Sequence, residues 1–138
     1  MANDTRRFHR SVEGVPFHTV IIVDREPLYR WFVSQSLDAC GMHVIQCQTL
    51  REAAACLQRQ LAADLLLIDG QTVQDDGVEA MGLLRLLARS TPCLVLDSTS
   101  PSYSNDDVGD AALVDKPVDS TAVVELMDRH LHRAALPA

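Results

Sequence analysis

The sequence predicts an α/β fold built on a single doubly wound, five-stranded parallel sheet. Short runs that are apolar throughout recur along the chain, as strands buried on both faces require. Segments with apolar residues at helical spacing separate them. The connections are short, and strands alternating with helices in this way make a parallel sheet covered on both faces, with right-handed crossovers limiting the topology.

Residues 1–18 carry Arg6, Arg7, His9, Arg10 and His18 without any period, and read as a flexible arm. Residues 19–23 (TVIIV) form the first strand, ended by Asp24. Pro27 can open a helix at its first turn, Phe32, Val33, Leu37 and Cys40 follow at helical spacing, and Gly41 stops it. A second strand runs from Met42 to Cys47. Thr49 and Glu52 fit a capping box before a helix that reaches about Leu61. Leu65 to Ile68 is the third strand, closed by Asp69, and Gly70 to Asp76 reads as a polar loop. The third helix spans Gly77 to Arg89, with Asp75 or Asp76 as its cap and Glu79 completing a box. Pro92 to Leu96 is the fourth strand, followed by Asp97. The stretch from Ser98 to Asp107 is polar and aperiodic, so a fourth helix there is weak or missing. Ala111 to Val114 is a fifth strand before Asp115-Lys116-Pro117. Asp119 or Ser120 caps a last helix to about Arg133. The folded unit is thus 19–134, with 135–138 a short tail.

Composition narrows the function. With 138 residues, 47% hydrophobic and 22% charged, the chain can bury one core and is not a disordered polymer. No apolar run reaches the roughly 18 residues of a membrane span, and the polar start from Met1 to Arg10 argues against a secretory signal. A net charge of −7 argues against nucleic-acid binding by the domain itself. Cys40, Cys47, Cys56 and Cys93 show neither a paired motif nor metal spacing, and read as reduced thiols of a cytoplasmic protein. Eleven of the 12 basic residues are arginine; the single lysine is Lys116.

That lysine falls in a telling place. Ligands of doubly wound sheets bind outside the carboxyl ends of the strands. Asp24, Asp69, Asp97 and Lys116 all stand there. One aspartate at a strand end is a common turn residue. Three of them with the only lysine form a more specific signal, because a lysine relieves carboxylate repulsion and can hold an oxyanion. Gly-rich phosphate loops are missing after the first strand, which argues against a nucleotide enzyme. The run Asp69-Gly70-Gln71-Thr72 has a glutamine where an aspartate-nucleophile phosphatase needs its general acid. Neither enzyme reading is therefore carried by the sequence.

Over about residues 18–134 the chain resembles the receiver domain of bacterial two-component response regulators. The resemblance is carried by Val-Asp-Arg-Glu-Pro (23–27), Leu-Leu-Leu-Ile-Asp (65–69), Asp76-Gly77 and Asp115-Lys116-Pro117, in order and at matching spacing. It implies a flavodoxin-like sheet of order 2-1-3-4-5. It implies that Asp69 is the phosphoacceptor, taking its phosphoryl group from a histidine kinase or a histidine phosphotransfer protein. Lys116 would pair with the phosphoryl oxygens. Asp24, Asp69 and the backbone carbonyl of Gln71 would hold Mg²⁺. The Lys116–Pro117 bond is usually cis in that family, and a second copy of the chain is a further candidate partner.

Three positions depart from the family pattern. Arg25 replaces a metal-binding acid, and a guanidinium cannot ligate Mg²⁺. Asp97 replaces a hydroxyl residue and would repel a phosphate. Leu113 replaces the aromatic switch residue. An atypical receiver with impaired Mg²⁺-dependent phosphorylation is expected, the alternative being a degenerate receiver that works by docking alone. Arg25 is expected either to pair with Asp97 or Asp69 across the strand ends or to point to solvent. Leu28, Tyr29 and Trp31 on the first helix are candidate partner contacts.

Overall fold

The computed structural model describes residues 18–59, 62–97, 103–104 and 106–135. The expected arm falls almost wholly outside the described residues, as do the tail beyond residue 135 and residues 98–102. Five strands form one parallel sheet: β1 (Thr19–Val23), β2 (His43–Cys47), β3 (Leu65–Asp69), β4 (Cys93–Asp97) and β5 (Ala112–Asp115). Their order is β2-β1-β3-β4-β5, as expected. Helices α1 (Pro27–Ala39), α2 (Leu50–Gln58), α3 (Gly70–Asp76), α4 (Val78–Ala88) and α5 (Ser120–Ala135) complete the fold.

The central strands are apolar because each residue alternately feeds one of two cores. Val20, Ile22, Leu65, Leu67, Leu94 and Leu96 pack with Val33 and Leu37 of α1 and with Val123 and Met127 of α5. Ile21, Val23, Leu66, Ile68 and Val95 pack on the other face with Leu50 and Ala53 of α2, Val73 of α3 and Leu84 of α4. The register places Val23 beside Ile68, and Asp69 beside Leu96. The acids that follow the strands therefore share one rim.

Local signals set the helix starts. Glu26 caps α1 by accepting from the Leu28 N–H at 3.0 Å, with Pro27 in the first turn. Thr49 caps α2, accepting from the Glu52 N–H at 3.2 Å, while Glu52 reaches back to the N–H of Gln48 at 3.0 Å.

Three sequence expectations are corrected. Gly70 to Asp76 is a helix and not a loop. Asp69 caps it, and its one apolar residue, Val73, is fully buried; seven residues with one apolar side chain show no period. Asp75 and Asp76 do not cap α4: Gly77, at φ 88°, separates the two helices and caps α4 without a side-chain bond. The left-handed conformation there suits glycine, which has no Cβ to clash. Finally, the Lys116–Pro117 bond is trans, since no cis peptide occurs among the described residues; trans is the ordinary preference even before proline. The described residues 106–110 form turns, in keeping with a weak or missing fourth helix.

Candidate functional site

Asp24, Asp69 and Lys116 converge at the carboxyl rim of the sheet. Asp24 and Asp69 are 2% and 6% exposed, so their charges need partners. The Lys116 Nζ supplies one to each, donating to Asp24 Oδ2 and to Asp69 Oδ1 at 2.9 Å apiece. Backbone bonds prolong the sheet into the site: the Asp24 N–H donates to Cys47 O at 3.1 Å and the Lys116 N–H to Asp97 O at 2.8 Å. The Asp24 Oδ1 also accepts from the Glu26 N–H at 2.9 Å.

Burial raises the Asp24 carboxyl above its ordinary value; the bonds from Lys116 and Glu26 pull it down, and the Asp69 charge adds to the rise. Burial pulls the Lys116 ammonium down, but its bonds to Asp24 and Asp69 outweigh that, and the net shift is upward. The ammonium is therefore the fixed positive centre of the site. Tyr29 seats it, with its ring centroid 4.1 Å from Nζ and its hydroxyl donating to Pro117 O at 2.6 Å. Tyr29 thus turns inward to the site, away from the partner surface expected for it. Leu28 and Trp31 do face outward, 76% and 59% exposed.

Arg25 pairs neither with Asp97 nor with Asp69. Its guanidinium donates to Asp76 at the end of α3, with Asp75 4.0 Å away. The expected pairing fails because α3 places its own carboxylates within reach, and only the tertiary position of that helix reveals them. Asp97 ends β4 half-buried, and its negative charge acts on Tyr103. Leu113 is half-buried, beside Val95 of β4, and packs against the core cluster that includes Val95 and Leu84.

Two contributors were not among the residues the sequence singled out. Thr72 donates its N–H at 2.9 Å and its hydroxyl at 2.7 Å to Asp69 Oδ2. Its spacing, three residues after a strand-ending aspartate, is that of a helix cap, which is the one clue the sequence offered. Tyr103, in the segment between β4 and β5, is buried, and its hydroxyl donates to Gly70 O. Burial pushes its phenol up to about 12, with the Asp69 charge adding to the rise. An aromatic side chain thus reaches the start of α3 from a segment whose composition reads as featureless.

Mg²⁺ needs hard oxygens in octahedral array. Both carboxylates are already on Lys116. Arg25 stands in place of the third acid. Gln71 lies in the first turn of α3, where its carbonyl serves the helix ladder. No cluster of three or more His, Cys, Asp or Glu able to hold a metal occurs among the described residues. These residues do not fit the ion.

A shallow groove of about 340 Å³ lies over Asp24, Asp69 and Lys116, flanked by Glu26, Gln71 and Asp75. Solved structures share this architecture. The chemotaxis response regulator CheY4 of Vibrio cholerae is 25% identical, with a TM-score of 0.64 over 83% of this chain and 98% of that one. A response regulator from Thermotoga maritima is 22% identical, with a TM-score of 0.65 over 85% and 99%. The beryllofluoride-activated NtrC receiver domain is also 22% identical, with a TM-score of 0.65 over 88% and 99%. The fold is that of a response regulator receiver domain. No protein-family model and no curated sequence matches the chain. Within the receiver fold, the described residues include no helix long and apolar enough to cross a membrane, and Cys40, Cys47, Cys56 and Cys93 are all free thiols.

Proposed function

We propose that the chain is a two-component signalling receiver that accepts a phosphoryl group on Asp69, with phosphorylation impaired because the cation site is lost. The observation that carries this reading is the bridge from Lys116 to both Asp24 and Asp69. In the proposed step an Asp69 carboxylate oxygen attacks the phosphorus of a phosphohistidine on a kinase or phosphotransfer protein. An O–P bond forms, the P–N bond breaks, and the imidazole leaves with the electron pair. Lys116 neutralises charge on the transferring group. Arg25 also lines the groove, but its guanidinium is engaged with Asp76, which supports a slow reaction.

A second reading, docking without phosphorylation, draws support from the engagement of both Asp69 oxygens, by Lys116 and by Thr72. One experiment separates the two. The protein is incubated with a small acyl phosphodonor, with and without Mg²⁺, and its intact mass is measured. A gain of one phosphoryl group that Asp69→Asn abolishes supports the acceptor. No gain at any Mg²⁺ or donor concentration leaves the docking module.

A further inference from the structure

We propose that Thr72 is a positioning residue that holds the Asp69 carboxylate in a single orientation, anchoring Oδ2 and presenting Oδ1 beside Lys116; this deepens, and rests on, the reading of Asp69 as the nucleophile. Thr72 is 2% exposed, in the first turn of α3. Its hydroxyl oxygen lies 3.1 Å from the Arg25 N and 2.7 Å from Asp69 Oδ2. The Arg25 N–H can only donate, so it takes a lone pair of the hydroxyl. The hydroxyl proton is left for the carboxylate. A directed chain results, from the Arg25 N–H through Thr72 Oγ1 to Asp69 Oδ2.

The Thr72 N–H adds a second bond to the same oxygen at 2.9 Å. One donor would let the carboxylate turn about Cβ–Cγ and slide to another rotamer. Two donors from one residue, with Lys116 on the opposite oxygen, remove both motions. Position 25 contributes through its backbone, so the anchor does not depend on the arginine side chain. The same chain explains why a helix follows Asp69 at once: the first turn of α3 must bring both Thr72 donors to one carboxylate oxygen.

Thr72→Val keeps the shape and the backbone N–H but loses the hydroxyl. Thr72→Ser keeps the hydroxyl. Val73→Ala is the control: Val73 is fully buried in the same helix and makes no polar side-chain contact. Two measurements on the full chain test the assignment. The first is the set of Hβ scalar couplings of Asp69 by NMR. They should report one staggered rotamer in the wild type, Thr72→Ser and Val73→Ala, and rotamer averaging in Thr72→Val. The second is the rate of Asp69 labelling by a small acyl phosphodonor. Thr72→Val should lower the maximal rate about tenfold with the half-saturating donor concentration unchanged, since small misplacements of reacting groups cost on this order or more. Thr72→Ser should stay within about twofold of the wild type, and Val73→Ala should lose stability without losing rate. A single rotamer in Thr72→Val, an undiminished rate in that variant, no rescue by serine, or equal slowing by Val73→Ala would each overturn the assignment. If the wild type takes no phosphoryl group while the Thr72→Val couplings average, the anchoring of Asp69 stands and the acceptor reading falls.

Discussion

Replacing Gly70 by alanine tests whether Tyr103 is packed onto the first turn of α3. An added Cβ would stand 2.9 Å from Tyr103 Cε2, 3.2 Å from Leu96 O and 3.4 Å from Val95 Cγ1. Two of these neighbours belong to β4 and cannot retreat without moving the sheet. The Tyr103 ring can move only by giving up its hydroxyl bond to Gly70 O. Overpacking of a buried site costs about 1–3 kcal/mol, and the lost hydrogen bond about 0.5–1.5 kcal/mol. The helix preference of alanine over glycine returns at most about 1 kcal/mol. The expected net loss is about 0.5–3.5 kcal/mol. At about 4 °C per kcal/mol for a domain of this size, Tm should fall by about 2–14 °C. Thermal and urea unfolding measure it. Gly82 supplies the contrast: it lies inside α4, and an added Cβ there meets nothing within 4 Å. Gly82→Ala should therefore stabilise by about 0.5–1 kcal/mol. In a Tyr103→Ala background the penalty of Gly70→Ala should shrink, giving a coupling on the order of 1 kcal/mol between the two sites. A Gly70→Ala protein as stable as Gly82→Ala would show that Tyr103 does not occupy this place.

Lys116 carries a pH signature. Its ammonium is raised from 10.5 in the folded chain, so its stabilising contribution is fully present below 10.5 and is lost as pH rises through the folded value. Unfolding followed across alkaline pH should show that loss in the wild type and a flatter limb in Lys116→Gln; equal limbs would contradict the bridge to Asp24 and Asp69. Arg25→Asp would set a third carboxylate beside Asp24 and Asp69. Mg²⁺ should then raise the Tm of the variant and leave that of the wild type unchanged, and identical responses would refute the account of the lost cation site. Tyr29→Phe should cost about 0.5–1.5 kcal/mol through the bond to Pro117 O, whereas Trp31→Ala, at an exposed position, should stay within about 0.5 kcal/mol of the wild type. The reverse order in urea unfolding would place Trp31, and not Tyr29, inside the structure. Burial pushes the Cys93 thiol up to about 12. Folded protein should accordingly resist alkylation at Cys93 near neutral pH, and rapid modification read by peptide mass would argue against that burial.

The sheet and the meeting of its acids were legible in the sequence for local reasons. A strand buried on both faces leaves no room for a polar residue, so 19–23 and 65–68 announce themselves as unbroken apolar runs. Parallel strands put all their carboxyl ends at one edge. The positions of Asp24, Asp69 and Lys116 therefore followed once the strands were placed.

What the tertiary structure alone decided is where side chains and backbone groups beyond the strands spend their hydrogen bonds. Helix α3 exists through a cap on Asp69, a buried Val73 and a tether from Asp76 to Arg25, and none of these has a period to read. With that helix in place the Gln71 carbonyl joins its ladder, Arg25 finds Asp76, and Thr72 meets Asp69. Tyr103 likewise reaches Gly70 across 33 positions of sequence. Hydrophobic periodicity records which face of an element is buried. It carries no information about which of several polar partners a long or flexible group reaches, because that is settled by distances that exist only after the elements have packed.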